Sequence, residues 1–197
     1  MSVLLYNDIF FQNSGETAGS ALKHNKQMAL FYSSRMNIIL DIESFYLGYI
    51  YFLETKRNII IDGVFTKIIY SSDIFSMSGV YLTFPVMFQT VEKGMSNKYL
   101  RMYNCFPGNI QLVHDFSKLE FKIIEHYKQM RGCTKKPSYL LAKQLYSGNL
   151  KIYKEHNQYE NEMSPSIDQP EYYVKISGIW ETKDELGITY KIIEVGT

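Results

Sequence analysis

Ser117-Lys-Leu-Glu-Phe-Lys-Ile-Ile-Glu-His-Tyr-Lys-Gln-Met-Arg-Gly132 carries helix punctuation at both ends and divides a chain that otherwise reads as β. Ser117 and Glu120 stand as Ser-x-x-Glu, so the hydroxyl can accept from a free N–H of the first turn while the carboxylate reaches back to the Ser117 amide. Phe116 and Phe121 fall at the two positions of a hydrophobic staple. Leu119, Ile123, Ile124, Tyr127 and Met130 recur at helical spacing, and Gly132 supplies a left-handed end, which predicts a helix over 117–131. A shorter second helix follows, with Pro137 in its first turn, Tyr139, Leu140, Ala142 and Leu145 on its apolar side and Gly148 as its stop.

On either side the composition changes. The chain holds 17 Tyr and 12 Phe against one Trp, a balance that favours strands, where flat rings cover a pleated surface. Apolar runs broken by turn residues predict strands at Phe45–Glu54, Ile59–Tyr70 and Met77–Phe88, with Thr55-Lys56-Arg57-Asn58 and Ser71-Ser72-Asp73 as turns. Lys98–Cys105 is a further strand candidate after a loop at Thr90–Asn97, and Pro107-Gly108-Asn109 reads as a turn before the helix. Past the helices, Asn149–Lys154 alternates as a half-buried strand. A C-terminal hairpin pairs Tyr172–Glu181 with Ile188–Val195, and Val174, Ile176, Gly178 and Trp180 are expected on one face, which puts the tryptophan in the core. Residues 1–35 form an N-terminal arm, and 156–171, rich in Pro, Asn, Glu and Ser, reads as a flexible loop dispensable for folding.

At 197 residues with 46% hydrophobic content, one folded domain is expected. The net charge of +1 conceals segregation: residues 1–97 hold 7 Lys and Arg against 8 Asp and Glu, residues 98–154 hold 11 against 3, and residues 155–197 hold 3 against 9. A basic middle beside an acidic tail points to an anionic partner, with the tail limiting non-specific binding or recruiting a second protein. Helix faces solvated by lysine would give the same arithmetic. Cys105 and Cys133 form no disulfide or zinc-ribbon pattern, and Cys105, His114, His126 and Cys133 match no zinc spacing, so no metal or cofactor is expected. No apolar run is long enough to span a bilayer and no secretory leader is evident, so an intracellular protein is expected.

Three meandering strands, a helix and then further strands is the element order of the OB-fold. The expected fold is therefore a β-rich α+β domain, an OB-like five-stranded curved barrel with a helical insertion between strands 3 and 4 and an extra C-terminal strand; a two-sheet sandwich with a helical insert is the alternative. Phe65-Thr-Lys-Ile-Ile-Tyr-Ser71 running into Met77-Ser-Gly-Val-Tyr-Leu82, and Lys175-Ile-Ser-Gly-Ile-Trp-Glu181 paired with Gly187-Ile-Thr-Tyr-Lys191, resemble segments of the single-stranded DNA-binding proteins of large DNA viruses and related mobile elements. That resemblance implies an OB-type barrel that binds single strands during replication, in the cytoplasm or nucleus of an infected host cell.

Single-strand binding needs cations to follow phosphates and rings on which bases stack. Lys98, Tyr99, Arg101 and Tyr103 form one such interleaved run, Arg131, Lys135, Lys136 and Tyr139 a second, and Lys151, Tyr153 and Lys154 a third. The expected partner is single-stranded DNA or RNA, with room for self-association and for a protein partner on the acidic tail. His114-Asp115 is accompanied by no serine elbow or paired-carboxylate motif, so no enzymatic activity is expected. A viral assembly or protein-interaction subunit is the alternative function.

Overall fold

Long strands form where β-branched and aromatic residues alternate with small or polar ones. Two such segments, β9 (Glu171–Glu181) and β10 (Glu185–Val195), make an antiparallel hairpin at the centre of one mixed sheet. The computed structural model describes residues 38–58, 60–93, 98–102, 107–154 and 171–195; the expected N-terminal arm and 156–170 lie outside them. Before the hairpin come β1 (Ile50–Asn58), β2 (Gly63–Ser71), β3 (Ser76–Ser78), β4 (Val80–Thr83), β5 (Phe88–Lys93) and β6 (Lys98–Met102). Helix α1 (Pro107–Arg131), β7 (Lys136–Pro137), helix α2 (Leu140–Ser147) and β8 (Asn149–Lys154) follow. No described helix is long and apolar enough to cross a membrane.

The strand order is β1-β2-β9-β10-β8-β6-β5, with β3 added to β2, β4 to β9 and β7 to β10. Strand β10 runs parallel to β7 and β8 and antiparallel to β9. The β-rich α+β class is as expected, but the sheet is open, ending at β1 and β5 instead of closing into a barrel. Strand order also differs, because the C-terminal hairpin inserts between the N-terminal strands and the β8-β6-β5 group.

Local corrections have local causes. Thr55-Lys56-Arg57-Asn58 continues β1 instead of turning, and the expected loop at Thr90–Asn97 begins as β5. The single strand expected over Met77–Phe88 breaks at Gly79, whose φ of 88° sends the chain from β3, paired with β2, into β4, paired with β9. A Cβ there would lie 2.6 Å from the Ile176 carbonyl oxygen, so only glycine allows β4 to take over the β9 edge that β2 has left.

Helix α1 starts ten residues before the Ser117 expected as its cap. Pro107 occupies its first position, where a missing N–H costs nothing, and the expected Pro107-Gly108-Asn109 turn is the first helical turn. Asn109 is buried and pairs its side-chain amide with both the N–H (2.9 Å) and the C=O (2.6 Å) of Met87, tying the helix start to the chain after β4. Leu112, Val113, Phe116, Leu119, Ile123, Ile124 and Tyr127 continue the buried stripe, whereas Phe121 and Met130 are exposed, so no staple forms. Helix α2 buries Leu141 and Leu145, leaves Leu140 partly exposed, and ends at Gly148 in the left-handed conformation; Pro137 sits in β7 and not in the helix.

The fully buried Glu120 caps a different helix from the one expected. Its carboxylate accepts from Leu141 N–H (3.1 Å) and Ala142 N–H (2.8 Å), satisfying the first turn of α2, which has no side-chain cap of its own. Burial raises the Glu120 pKa above the usual carboxylate range, with the α2 amides pulling it partly back. Ser117 Oγ, mid-helix and buried, has no hydrogen-bond partner among the described residues.

The two residues of the supposed capping box therefore have separable consequences. Glu120→Ala leaves two amide donors unsatisfied and is expected to cost about 2–4 kcal/mol in urea denaturation, whereas Ser117→Ala is expected to cost under about 0.5 kcal/mol. A capping box would make both substitutions costly.

Candidate nucleic-acid interface

Helices α1 and α2 lie on the same face of the sheet. Tyr127 of α1 reaches Glu181 of β9 and Thr66 of β2 (2.5 and 3.1 Å), and Tyr190 of β10 donates to Gln144 Oε1 and the Leu140 carbonyl of α2 (2.6 and 3.2 Å). Burial, then the nearby charge of Glu120, raises the Tyr190 pKa, which keeps its hydroxyl a donor. Val64, Thr66, Ile68 and Tyr70 in β2, and Leu186, Ile188, Tyr190 and Ile192 in β10, alternate toward these helices. Their neighbours project from the opposite face.

Which residues of β9 project there depends on a bulge. Thr189 pairs with Gly178 but Tyr190 pairs with Ile176, so Ser177 is an extra residue and strand parity reverses across it. Val174, Ile176, Ile179 and Glu181 face the helices; Lys175 and Trp180 face away. The expectation that Trp180 shares a face with Val174 and Ile176 is overturned by this single inserted residue. Trp180 is half-buried and lies over Gly187, where a Cβ would approach the indole to 2.8 Å, and its N–H reaches across β10 to the Ile188 carbonyl (3.1 Å).

Register then aligns the helix-free face into rows. Lys56, Phe65, Trp180 and Gly187 are consecutive partners across β1, β2, β9 and β10; Lys67, Gly178 and Thr189 form the next row. In the third, Tyr81 of β4 pairs with Lys175, and Lys175 with Lys191. Beside Lys191, Ile152 of β8 pairs with Ile192, so Lys151 and Tyr153 flank the row from the other side. Lysine and ring are coupled directly. Lys151 Nζ and Lys191 Nζ stand 5.1 and 5.2 Å from the centre of the Tyr153 ring, and Lys175 Nζ lies 4.7 Å from that of Tyr81. Lys56, Lys67 and Lys191 are exposed, Lys151 and Lys175 half-exposed, and none of the five is ion-paired among the described residues. Glu181 and Glu194 are buried, on the helix side.

The expected binding residues divide accordingly. Lys151 and Tyr153 belong to this face. Lys98 and Tyr99 lie on β6, opposite Ile152 and Lys151 in register; Arg101, opposite Asn149, is exposed, and Lys154 ends β8. Tyr103 lies outside the described residues. The middle cluster is dispersed. Arg131 donates to the Phe52 and Leu53 carbonyls (3.3 and 2.8 Å) where β1 bulges, and Tyr139 packs against Phe121. Lys136 faces Glu185 at 3.8 Å in an exposed pair, and Lys135 binds the Glu181 carboxylate at 2.8 Å. Lys56, Phe65, Lys67, Lys175, Trp180 and Lys191 escape a reading of the sequence because they are far apart along the chain, in segments of neutral or negative net charge. Strand alternation is the signal that could find them, and it works only once the Ser177 bulge is placed.

Glu181 closes a polar cluster beneath the sheet: Lys135 and Tyr127 donate to it, the Cys133 thiol lies at 3.8 Å, and Thr66 links Tyr127 to Thr55. Burial opposes its charge, but the bonds from Lys135 and Tyr127 outweigh that cost and hold its carboxyl below the usual range. Comparison with protein-family models, curated proteins and solved structures gives no match, so nothing beyond this geometry assigns the site.

Lys135→Ala leaves the Glu181 charge without its cation and is expected to destabilise the protein by about 1–3 kcal/mol at pH 7. A depressed folded-state pKa means that stability from ionised Glu181 is present above its unfolded pKa and disappears as pH falls through the folded value. The difference between Lys135→Ala and the parent, measured by urea denaturation, should therefore shrink from pH 7 toward pH 3.

Proposed function

We propose that the helix-free face of the sheet binds single-stranded nucleic acid, the lysine rows following the phosphates and the half-buried rings of Tyr153, Phe65 and Trp180 stacking on bases. The observation that carries this reading is the alignment of Lys175, Lys191 and Lys151 on three neighbouring strands, about 5 Å apart from strand to strand, with Lys151 and Lys191 beside the Tyr153 ring and Lys175 beside that of Tyr81. Half-buried Phe65 and Trp180 offer flat surface nearby, and every base has a π-face, so such a platform is tolerant of sequence. The platform is a sheet face, as in other sheet-based readers of single strands, and not the groove of a closed barrel. The resemblance to viral and mobile-element single-stranded DNA-binding proteins supports a place in DNA replication inside the infected cell, with no chemical step.

The alternative, an assembly subunit, draws on a different feature. Strand β1 ends the sheet, and Ile60 in the adjoining turn is 87% exposed, an apolar tip suited to a protein contact. Lys56 and Arg57 on β1 work against edge-to-edge pairing, so the binding reading is preferred.

Fluorescence anisotropy with labelled oligothymidylate at several salt concentrations distinguishes the cations by use. Removing Lys175 and Lys191 together should flatten the log-log salt dependence by about 0.7 for each phosphate no longer neutralised. Lys135→Ala, whose ammonium is occupied by Glu181, should leave the slope unchanged. An unaltered slope in the double variant would refute the platform.

A further inference from the structure

The edge of β10 is interrupted beside this face. Strand β7 pairs with Glu185 and Leu186, β8 pairs with Ile192, Ile193 and Glu194, and the chain between them leaves the sheet as α2. Residues 187–191 consequently have no strand partner on that side among the described residues. A slot of about 370 Å³ opens there, within the size range of pockets that hold small molecules. Trp180 and Tyr153 line it together with Lys151 and Lys191, and Gln144 of α2 and Tyr190 form its inner wall.

We infer that this slot receives a single nucleotide, its base held at the open β10 edge and its phosphate by Lys151 and Lys191. The inference rests on the nucleic-acid reading above and deepens it. A strand edge presents alternating N–H and C=O groups, which suits the donor and acceptor edge of a heteroaromatic base; at this edge the Ile188 carbonyl already accepts from the Trp180 indole N–H, which brings the indole beside the base position. The Gln144 Oε1 atom accepts from Tyr190, leaving its side-chain amide without a described partner as a further donor at the inner wall. An added peptide strand fits less well: β7 and β8 block both ends, and five residues of edge extend only about 17 Å. Cations beside a ring at the mouth match a phosphate joined to a flat group, which neither inorganic phosphate nor an apolar molecule provides.

Trp180 is the protein's single tryptophan, so its fluorescence reports on the slot directly. Thymidine and adenosine 5′-monophosphates should quench it saturably, and inorganic phosphate at equal concentration should not. Gln144→Leu should weaken mononucleotide binding at least tenfold, with circular dichroism confirming that the variant is folded. If mononucleotides give no saturable quenching, or phosphate reproduces it, the slot assignment is wrong. If that happens while oligothymidylate still binds with steep salt dependence, the platform stands without the slot. If mononucleotides bind and oligothymidylate does not, the platform fails and the slot is an independent nucleotide site.

Discussion

The extra residue at Ser177 governs what each side of the sheet presents. In a regular strand Lys175 and Glu181, six residues apart, would share a face, and Trp180 would lie with Val174 and Ile176. The bulge reverses parity between them. It sends Glu181 inward to Lys135 and Tyr127 and leaves Lys175 outward beside Lys191. Lys175 and Glu181 are thereby placed on opposite faces, and a chain segment of negative net charge contributes Lys175 and Lys191 to the helix-free face.

The helix side is built to hold that arrangement still. Glu120 joins α1 to the start of α2, and Asn109 joins α1 to Met87. Tyr127 joins α1 to β9 through Glu181 and to β2 through Thr66. Each contact satisfies a buried polar group and also fixes one element against another, which apolar packing alone specifies less sharply. With both long helices on one face, Lys56, Lys67 and Lys191 on the other stay exposed, whereas Tyr81, Tyr173 and Ile193 of that face are buried.

The sequence disclosed features whose signals are local. The C-terminal half of α1, the glycine that ends α2, the bounds of β8 and the terminal hairpin follow from periodicity and turn chemistry. It hid features decided at long range. Pro107 fits a helix start as well as a turn, and only the pairing of Asn109 with Met87 selects the helix. Glu120 satisfies a capping-box pattern locally yet caps a helix twenty residues later. Lys135 and Arg131 stand out in a basic run, but one is taken by Glu181 and the other by carbonyls of β1. Lys151 and Tyr153 are legible because they occupy one strand; their companions Lys175 and Lys191 come from strands whose alignment depends on the bulge.

Amide chemical-shift mapping with unlabelled oligothymidylate reports which face of the sheet a single strand touches. The proposed platform requires perturbations concentrated at Phe65, Lys67, Lys151, Lys175, Trp180 and Lys191, with the exposed side of α1 around Lys118 and Lys122 unaffected. Perturbations confined to the helix side, or none at an oligonucleotide concentration that saturates binding, would contradict it.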